Sequence, residues 1–253
     1  MESRLTKTDG IVLSSKGFGE GHKIVRILTA TLGKVEATAF GVRKTKSKFG
    51  SKLEPFSHVR LQLYRKSEES LYTIREADAI HHNEAIREDF HKFATGSTVI
   101  EPVVRFVETG SEEYGLYRIL TRCLSTLNSI PADKALYLLS MYEIKFLAEM
   151  GYRQQTATCT SCDTEVSPEQ AFADAGDGFP LCSGCRTARS IRVIPPVLRF
   201  VKWAADSSLE DAGRVVMNDK TLSNLRQLTQ KLYQHHFHQD LNSWKHLTET
   251  GLG

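Results

Sequence analysis

Four cysteines in two close pairs constrain this chain more than any other feature. They stand at Cys159, Cys162, Cys182 and Cys185, as two C-x2-C pairs with a nineteen-residue spacer. Each pair lets one tight turn present two sulfurs at about 2.3 Å from a metal, and the spacer can bring the second pair opposite the first. The spacing predicts one structural Zn²⁺ held by four thiolates. Because four protein ligands leave no coordination position for water, we expect this metal to support folding and not hydrolysis.

Disulfides and a redox C-x-x-C motif are the alternative interpretations. The chain starts Met-Glu-Ser-Arg with no apolar run behind it, so we expect a reduced cytoplasmic protein, in which disulfides are rare. Thioredoxin-like motifs open a helix after a strand, whereas residues 158–163 have turn composition. The fifth cysteine, Cys123, shares a helical face with Leu116 and Leu120, which predicts a core residue.

Positive charge is concentrated at the N-terminal end. Residues 1–80 hold 15 Lys and Arg against 9 Asp and Glu, a net charge of +6, whereas the remainder holds 18 against 21, a net of −3. We therefore look for an anionic partner in the first third of the chain. No stretch approaches the roughly 18 apolar residues that a membrane span needs, so we expect no membrane association.

The N-terminal third reads as short β-strands. In one run Val59, Leu61 and Leu63 alternate with polar residues, the period of a half-buried strand. Five such runs, separated mostly by turn residues, predict strands at 10–14, 23–29, 34–42, 57–66 and 71–79. Five strands in about 80 residues fit a small closed barrel, and the oligonucleotide-binding (OB) barrel is the commonest of that size.

From about Asn83 the apolar period becomes helical. The predicted helices are 84–107 with an interruption at Pro102, 114–127, 134–150 with a stop at Gly151, 197–203 and 221–237. The sequence therefore predicts an α+β multidomain protein: a five-stranded OB-type, nucleic-acid-binding barrel at 1–80 and a helical domain at 81–253. The four-cysteine zinc module at 156–189 is inserted within the helical domain.

A strongly basic loop lies between the third and fourth predicted strands. Residues 41–52 contain five cations and no acid: Arg43, Lys44, Lys46, Lys48 and Lys52. Such a loop repels itself unless an anion compensates it. On a barrel it predicts a track for phosphates, with four neighbouring aromatic residues as candidates for stacking unpaired bases: Phe40, Phe49, Phe56 and Tyr64. The alternative is a solvated loop beside core aromatics.

Sequence motifs for catalysis are missing or incomplete. No G-x-x-x-x-G-K-[ST] motif occurs, and a predicted strand follows the glycines at 17–21, whereas phosphate-cradling loops need a helix behind them. His82 and Glu84 resemble part of a zinc-deaminase signature, but Thr158 replaces its proline and the second cysteine pair would fill the coordination position that the reactive water needs. We therefore predict that the chain is not an enzyme.

Several segments together resemble the bacterial RecO family of recombination mediators. The N-terminal ones are residues 21–29 (GHKIVRILT), 32–35 (LGKV), 40–44 (FGVRK), 47–50 (SKFG) and 53–56 (LEPF). The later ones are residues 142–147 (YEIKFL), Gly151-Tyr152 and 159–162 (CTSC). They occur in the same order as in that family, and the resemblance covers nearly the whole chain.

The resemblance implies a protein that binds single- and double-stranded DNA, anneals complementary strands and acts with RecR to load RecA on strands coated by single-stranded-DNA-binding protein. It implies a cytoplasmic, nucleoid-associated location. Basic barrel residues carry over as DNA contacts only as a group: Lys34, Arg43, Lys44, Lys46, Lys48 and Lys52. Many relatives lack the cysteines, which supports a structural zinc.

The resemblance also implies recognition of the acidic, apolar-ended tail of the single-stranded-DNA-binding protein. Arg199 and Lys202, beside Phe200 and Trp203, are candidates for this contact, although an amphipathic helix with solvated bases explains them equally well. Two functional alternatives stay open: a zinc-ribbon transcription or translation factor, and a zinc-dependent nuclease or deaminase.

Overall fold

The computed structural model describes residues 5–42, 49–111 and 113–249, without the side chains of residues 248 and 249. The chain divides into two compact units, which we call the barrel unit (Met1–Ser129) and the helical unit (Ile130–Gly253). The barrel therefore shares its unit with the first helices. The predicted domain boundary after residue 80 stays a prediction.

Five strands form a closed barrel in the order β1-β2-β3-β5-β4, as predicted. Their bounds are Leu5–Phe18 (β1), His22–Thr29 (β2), Lys34–Ala39 (β3), His58–Tyr64 (β4) and Tyr72–His81 (β5). Neighbours are antiparallel except β3 and β5, which pair in parallel over two residues. This is the OB-type barrel that the strand pattern predicts.

Alternation along the strands builds the barrel core. Val59, Leu61 and Leu63 are at most 1% exposed, whereas Arg60 between them is exposed. Similar alternation on the other strands fills the interior with aliphatic side chains, and Phe49 and Leu53 from the connection before β4 join them. Each fully buried aliphatic side chain stabilises the fold by about 1.5–3 kcal/mol.

Three α-helices follow the strands in the described part of the barrel unit: Glu84–Glu88 (α1), Phe90–Phe106 (α2) and Tyr114–Ser129 (α3). The predicted interruption at Pro102 is wrong, because α2 runs through this proline. A proline inside a helix costs about 3 kcal/mol, but Val99 and Val103 on either side are fully buried and hold the helix together. The break instead precedes α2 at Asp89, whose side chain accepts the Lys92 N–H as an N-cap.

The described residues of the helical unit, 130–249, form four α-helices and one small sheet. The helices are Ala135–Glu149 (α4), Pro195–Asp206 (α5), Asp219–Phe237 (α6) and Trp244–Glu249 (α7). The strands, in spatial order β7-β6-β8, are Ala171–Asp174 (β6), Gly178–Leu181 (β7) and Ile191–Val193 (β8). The cysteine segment lies between α4 and α5, as predicted. Short 3-10 helices occur at Gly50–Leu53, Ala132–Lys134, Pro168–Gln170 and Leu209–Arg214.

Helix α4 ends in a Schellman motif that leads the chain toward the cysteines. Gly151 has φ of +87°, a conformation that favours glycine. Its N–H donates to the Ala148 carbonyl at 3.1 Å, and the Tyr152 N–H donates to the Leu147 carbonyl at 2.7 Å. The predicted stop at Gly151 is thereby confirmed.

A buried ion pair joins α4 to α6 inside the helical unit. Glu143 is 1% exposed and accepts a hydrogen bond from the Arg226 guanidinium, and the Trp244 indole N–H donates to its other oxygen at 3.1 Å. The carboxylate is therefore compensated on both sides.

None of the helices in the described part of the chain is long and apolar enough to cross a membrane.

Candidate metal centre and nucleic-acid interface

Two tight turns present the four cysteines. In the first, the Cys159 N–H donates to the Thr164 carbonyl at 2.8 Å and the Asp163 N–H donates to the Cys159 carbonyl at 2.9 Å. In the second, which follows β7 directly, the Cys185 N–H donates to the Cys182 carbonyl at 3.2 Å. The Thr160 N–H bonds to the Pro180 carbonyl at 2.9 Å, so β7 holds one turn beside the other.

The four sulfur atoms lie within 4.8 Å of one another. The Cys162 and Cys182 sulfurs are 3.7 Å apart. Four sulfurs at about 2.3 Å from a tetrahedral metal are separated by about 3.8 Å, so this spacing fits one four-thiolate ion. Cys159 is fully buried, and its sulfur accepts the Cys182 N–H at 3.4 Å. The predicted ligand set is thus brought together.

The thiols of this cluster share protons unequally. The backbone N–H of Cys185 lowers the pKa of the Cys182 thiol to about 6, whereas hydrogen bonds with the Cys162 and Cys182 sulfurs raise the pKa of Cys185 to about 12. Four thiolates cannot accumulate this close together without a compensating cation. A divalent ion that replaces the shared protons satisfies the site.

Cys123 is not part of the cluster. It is fully buried on α3, and burial raises the pKa of its thiol far above the ordinary range. The predicted packing role is confirmed.

The predicted DNA-contact residues differ in what the structure says of them. Arg43, Lys44, Lys46 and Lys48 lie outside the described residues. Lys34 is only 9% exposed, and its ammonium donates to the Val103 and Val104 carbonyls at 3.4 and 2.8 Å. Burial and the charge of Arg26 lower its pKa. Lys34 therefore neutralises the C-terminal end of α2, a placement that does not favour a DNA contact.

Lys52 is more accessible than Lys34. Its ammonium donates to the Ala77 carbonyl at 2.8 Å and to the Asp78 carboxylate at 3.3 Å, with 31% of its side chain exposed. The Asp78 side chain is 78% exposed, so the pair sits at the surface. A phosphate could compete for this ammonium, and Lys52 stays a predicted contact.

The four candidate stacking aromatics differ in exposure and in their contacts. Phe49 and Phe56 are 1% and 2% exposed and therefore belong to the core, as the alternative interpretation had it. Tyr64 carries the Arg75 guanidinium 4.9 Å above its ring. Phe40 is 54% exposed. Phe18, at the end of β1, is 53% exposed and was not among the aromatic residues predicted from the sequence.

A groove of about 720 Å³ opens on the helical unit. Phe200 and Trp203 of α5 contribute apolar surface, and Arg199 and Arg214 contribute charge. Three of the four tail-contact candidates therefore line one groove. Lys202 is exposed on the same helix and is not among the lining residues. Arg214 could not be selected from sequence, because it comes from a separate 3-10 helix.

The cysteine module is acidic. Residues 156–189 contain five Asp and Glu against two Arg, before any thiolate is counted. Arg186 lies 5.0 Å over the Phe172 ring, and Arg192, just beyond, donates to the Glu169 carbonyl at 2.9 Å. By this charge balance, the module is a less favourable surface for an anion than the basic first 80 residues.

Comparisons with known proteins match both parts of the chain to one family. The family described as "Recombination protein O N terminal" matches residues 1–83, and "Recombination protein O C terminal" matches residues 87–245. Together they cover the barrel strands, the cysteine module and most of the helices.

Curated relatives with the name DNA repair protein RecO align over most of the chain. The Streptomyces coelicolor protein is 32% identical over 203 residues, which is 78% of this chain and 81% of the relative. The Thermobifida fusca protein is 30% identical over 86% of this chain and 88% of its own length. The protein of Anaeromyxobacter sp. strain K is 26% identical over 97% of this chain and 96% of its own length.

Proposed function

Because the chain belongs to the RecO family, we propose that it is a DNA-binding recombination mediator that anneals complementary single strands. With RecR, it would help to load RecA on strands coated with single-stranded-DNA-binding protein during recombinational repair. The observation that carries this proposal is the family match across both units. The name of the curated relatives, DNA repair protein RecO, supports it. Such work would place the chain at the nucleoid in the cytoplasm.

Annealing of this kind needs no catalytic residue. Base pairing supplies the free energy, and the obstacle is the mutual repulsion of two phosphate backbones. A protein that neutralises phosphates on both strands lowers this repulsion, while contacts to the backbone leave the base edges free to pair. The +6 charge of residues 1–80 supports this mechanism. We therefore propose that the chain is not an enzyme.

We assign the main phosphate contacts to the basic loop, Arg43, Lys44, Lys46, Lys48 and Lys52, as a group. The acidic balance of the cysteine module supports this choice over Arg186, Arg189 and Arg192. Lys34 remains the least favoured member of the predicted set because two helix carbonyls already hold its ammonium.

Salt dependence tests the assignment. Replacing Arg43, Lys44, Lys46 and Lys48 by alanine should weaken binding to all sequences and flatten the plot of log K against log salt by up to roughly 0.7 per lost single-strand contact. Lys202→Ala/Lys220→Ala, which removes two exposed cations of the helical unit, is the control and should keep the slope. An unchanged slope in the loop variant would place the DNA surface elsewhere.

We propose zinc as the ion of the cysteine cluster, with a structural role. Zinc is the common occupant of tetrahedral four-thiolate sites, which supply folding free energy. Cys159, Cys162, Cys182 and Cys185 would hold it and thereby join the two turns.

The groove of the helical unit supports the proposed contact with the tail of the single-stranded-DNA-binding protein. That tail is acidic and ends in an apolar residue, so Phe200 and Trp203 offer surface for its end. Arg199 and Arg214 can pair with its carboxylates and raise the association rate. Asp211 partly compensates Arg214 at 3.4 Å, an exposed contact that a carboxylate could replace.

An annealing assay separates this function from the alternatives. A RecO-type mediator anneals complementary strands without nucleotide, whereas a zinc-ribbon transcription or translation factor is not expected to anneal them. A zinc nuclease or deaminase would need a displaceable metal-bound water. Activity that survives every cysteine substitution which leaves the fold intact would exclude this enzyme alternative.

A further inference from the structure

Three rings form a row across the first three strands of the barrel. Phe18 of β1 pairs with His22 of β2, and Lys23 pairs with Ala39 at the end of β3. The next residue, Phe40, therefore comes level with His22. The His22 and Phe40 ring centroids are 5.0 Å apart, with the rings edge to face at 72°. The row thus crosses the end of β1–β3 at which β1 turns into β2.

This row faces outward from the barrel. Residues at every second position of a strand share a face. On β2 the positions of the other parity, Val25 and Ile27, are fully buried in the barrel core, whereas Arg26 on the face of His22 is exposed. Phe18 and Phe40, more than half exposed, lie on the same outer face as His22. Their ring surfaces are accessible to a ligand.

His22, the middle ring of the row, is fixed relative to Phe40. The Gly41 N–H donates to its Nδ1 at 3.1 Å, which orients the imidazole against the Phe40 ring. Because the ring is already restricted before binding, the entropic cost of ordering it when a ligand binds is smaller. Exposed Lys16, two residues before Phe18 on the same face of β1, adds a cation to the row.

We propose that Phe18 and Phe40 form a platform on which unpaired nucleobases stack, with His22 as a positioning residue and Lys16 facing the phosphates. The inference rests on the proposed function and names the unpaired bases as the feature of DNA that the barrel recognises. Every base offers a π face, and stacking on an aromatic side chain contributes about 1–3 kcal/mol per base. Bases within a duplex already stack on each other, so the platform favours single strands.

Charge selects a nucleic acid over an apolar protein segment as the occupant. The first 80 residues carry a net charge of +6, and the basic loop follows Phe40 directly, with its first cation at Arg43. A polyanion with flat apolar faces matches both features.

The test compares binding of an unpaired thymidine oligomer and of a duplex by fluorescence anisotropy. Phe18→Ala/Phe40→Ala should weaken single-strand binding at least about fivefold, the lower bound for one lost stack, and leave duplex affinity within about twofold. Phe90→Ala, which removes a 69% exposed ring from α2, is the matched control and should change neither. Equal losses for both DNAs, or an unchanged single-strand affinity, would overturn the platform.

A second variant makes the result independent of folding defects. Phe40→Trp keeps a large ring and adds an indole to a chain whose two native tryptophans lie in the helical unit. Single-stranded DNA should quench its added emission and duplex should not, whereas absence of quenching would count against stacking. In this background His22→Ala should reduce the quenching and His22→Asn, which can still accept from Gly41, should restore part of it.

Failure of the platform and failure of the proposed function are distinguishable. If the double phenylalanine variant binds single strands like the unaltered protein while the basic-loop variant does not, DNA binding stands and the row belongs to another ligand, such as a protein partner. If the unaltered protein binds neither DNA, both proposals fall.

Discussion

The Glu143 carboxylate depends on partners that come from far along the chain, Arg226 and Trp244. Removing one partner of a buried ion pair costs about 3–5 kcal/mol, because the other charge is left uncompensated. We therefore expect Arg226→Met to lower the free energy of unfolding of the helical unit by about this amount. Urea denaturation followed by tryptophan emission measures it, since both tryptophans lie in that unit.

A double variant identifies the cause of that loss. Glu143→Gln in the Arg226→Met background removes the orphaned charge while its amide oxygen can still accept the Trp244 N–H, so most of the stability should return. An additive loss in the double variant would mean that packing, and not the buried charge, explains the single one.

His58 predicts a pH dependence for the barrel unit. Its Nε2 lies 2.9 Å from the Tyr117 hydroxyl, and burial lowers its pKa below 6.5, opposed by Asp9 and aided by His81. The unfolded chain therefore binds the proton more readily, so this contribution to stability is complete above pH 6.5 and is lost as the pH falls from 6.5 toward the lowered pKa. Urea unfolding followed by circular dichroism should show a weaker decline below pH 6.5 in His58→Gln than in the unaltered chain. Parallel declines would contradict it.

At the scale of elements, loss of the metal should disorder the cysteine module while the rest of the chain stays folded. We expect one zinc per chain by elemental analysis. Cys159→Ser should lower the metal content and speed amide exchange over residues 156–189, because the two turns lose the metal ion that joins them. The barrel strands have their own core and should keep their protection.

Cys123→Ala is the control for this experiment. It also removes a thiol, but one that is buried on α3 and outside the sulfur cluster, so zinc content should stay the same. Undiminished zinc in Cys159→Ser/Cys182→Ser would refute the ligand assignment.

Local pattern predicted the elements better than it predicted their contacts. Runs of β-forming residues bounded by turn residues found all five barrel strands, and the cysteine spacing found the sulfur cluster, because both signals lie within short stretches of sequence. The sequence around Lys34 does not reveal that its ammonium donates to carbonyls at the end of α2, about 70 residues later in the chain. Phe18 was overlooked because its position in an exposed row depends on strand register. Burial, register and long-range partners are tertiary properties that composition does not encode locally.

At the scale of the whole molecule, the features behind the two proposed tasks lie in different units. The barrel unit carries the net positive charge and the outer aromatic row. The helical unit carries the cysteine module and the groove with Arg199, Trp203 and Arg214. If DNA binding and recognition of the tail are separate, a change in the groove should affect only strands that are already coated.

We therefore expect Arg199→Ala/Trp203→Ala to anneal bare complementary strands at the normal rate, without nucleotide, and to fail on strands coated with single-stranded-DNA-binding protein. Calorimetry with a tail peptide should show loss of binding, and a peptide without its terminal aromatic residue should bind the unaltered protein weakly, because the apolar end fills the groove. Lys202→Ala, an exposed cation on the same helix outside the groove lining, should behave normally in every assay. Equal loss on bare and coated strands would tie the groove to DNA handling itself. Normal annealing of coated strands by the groove variant would move the tail site to another surface.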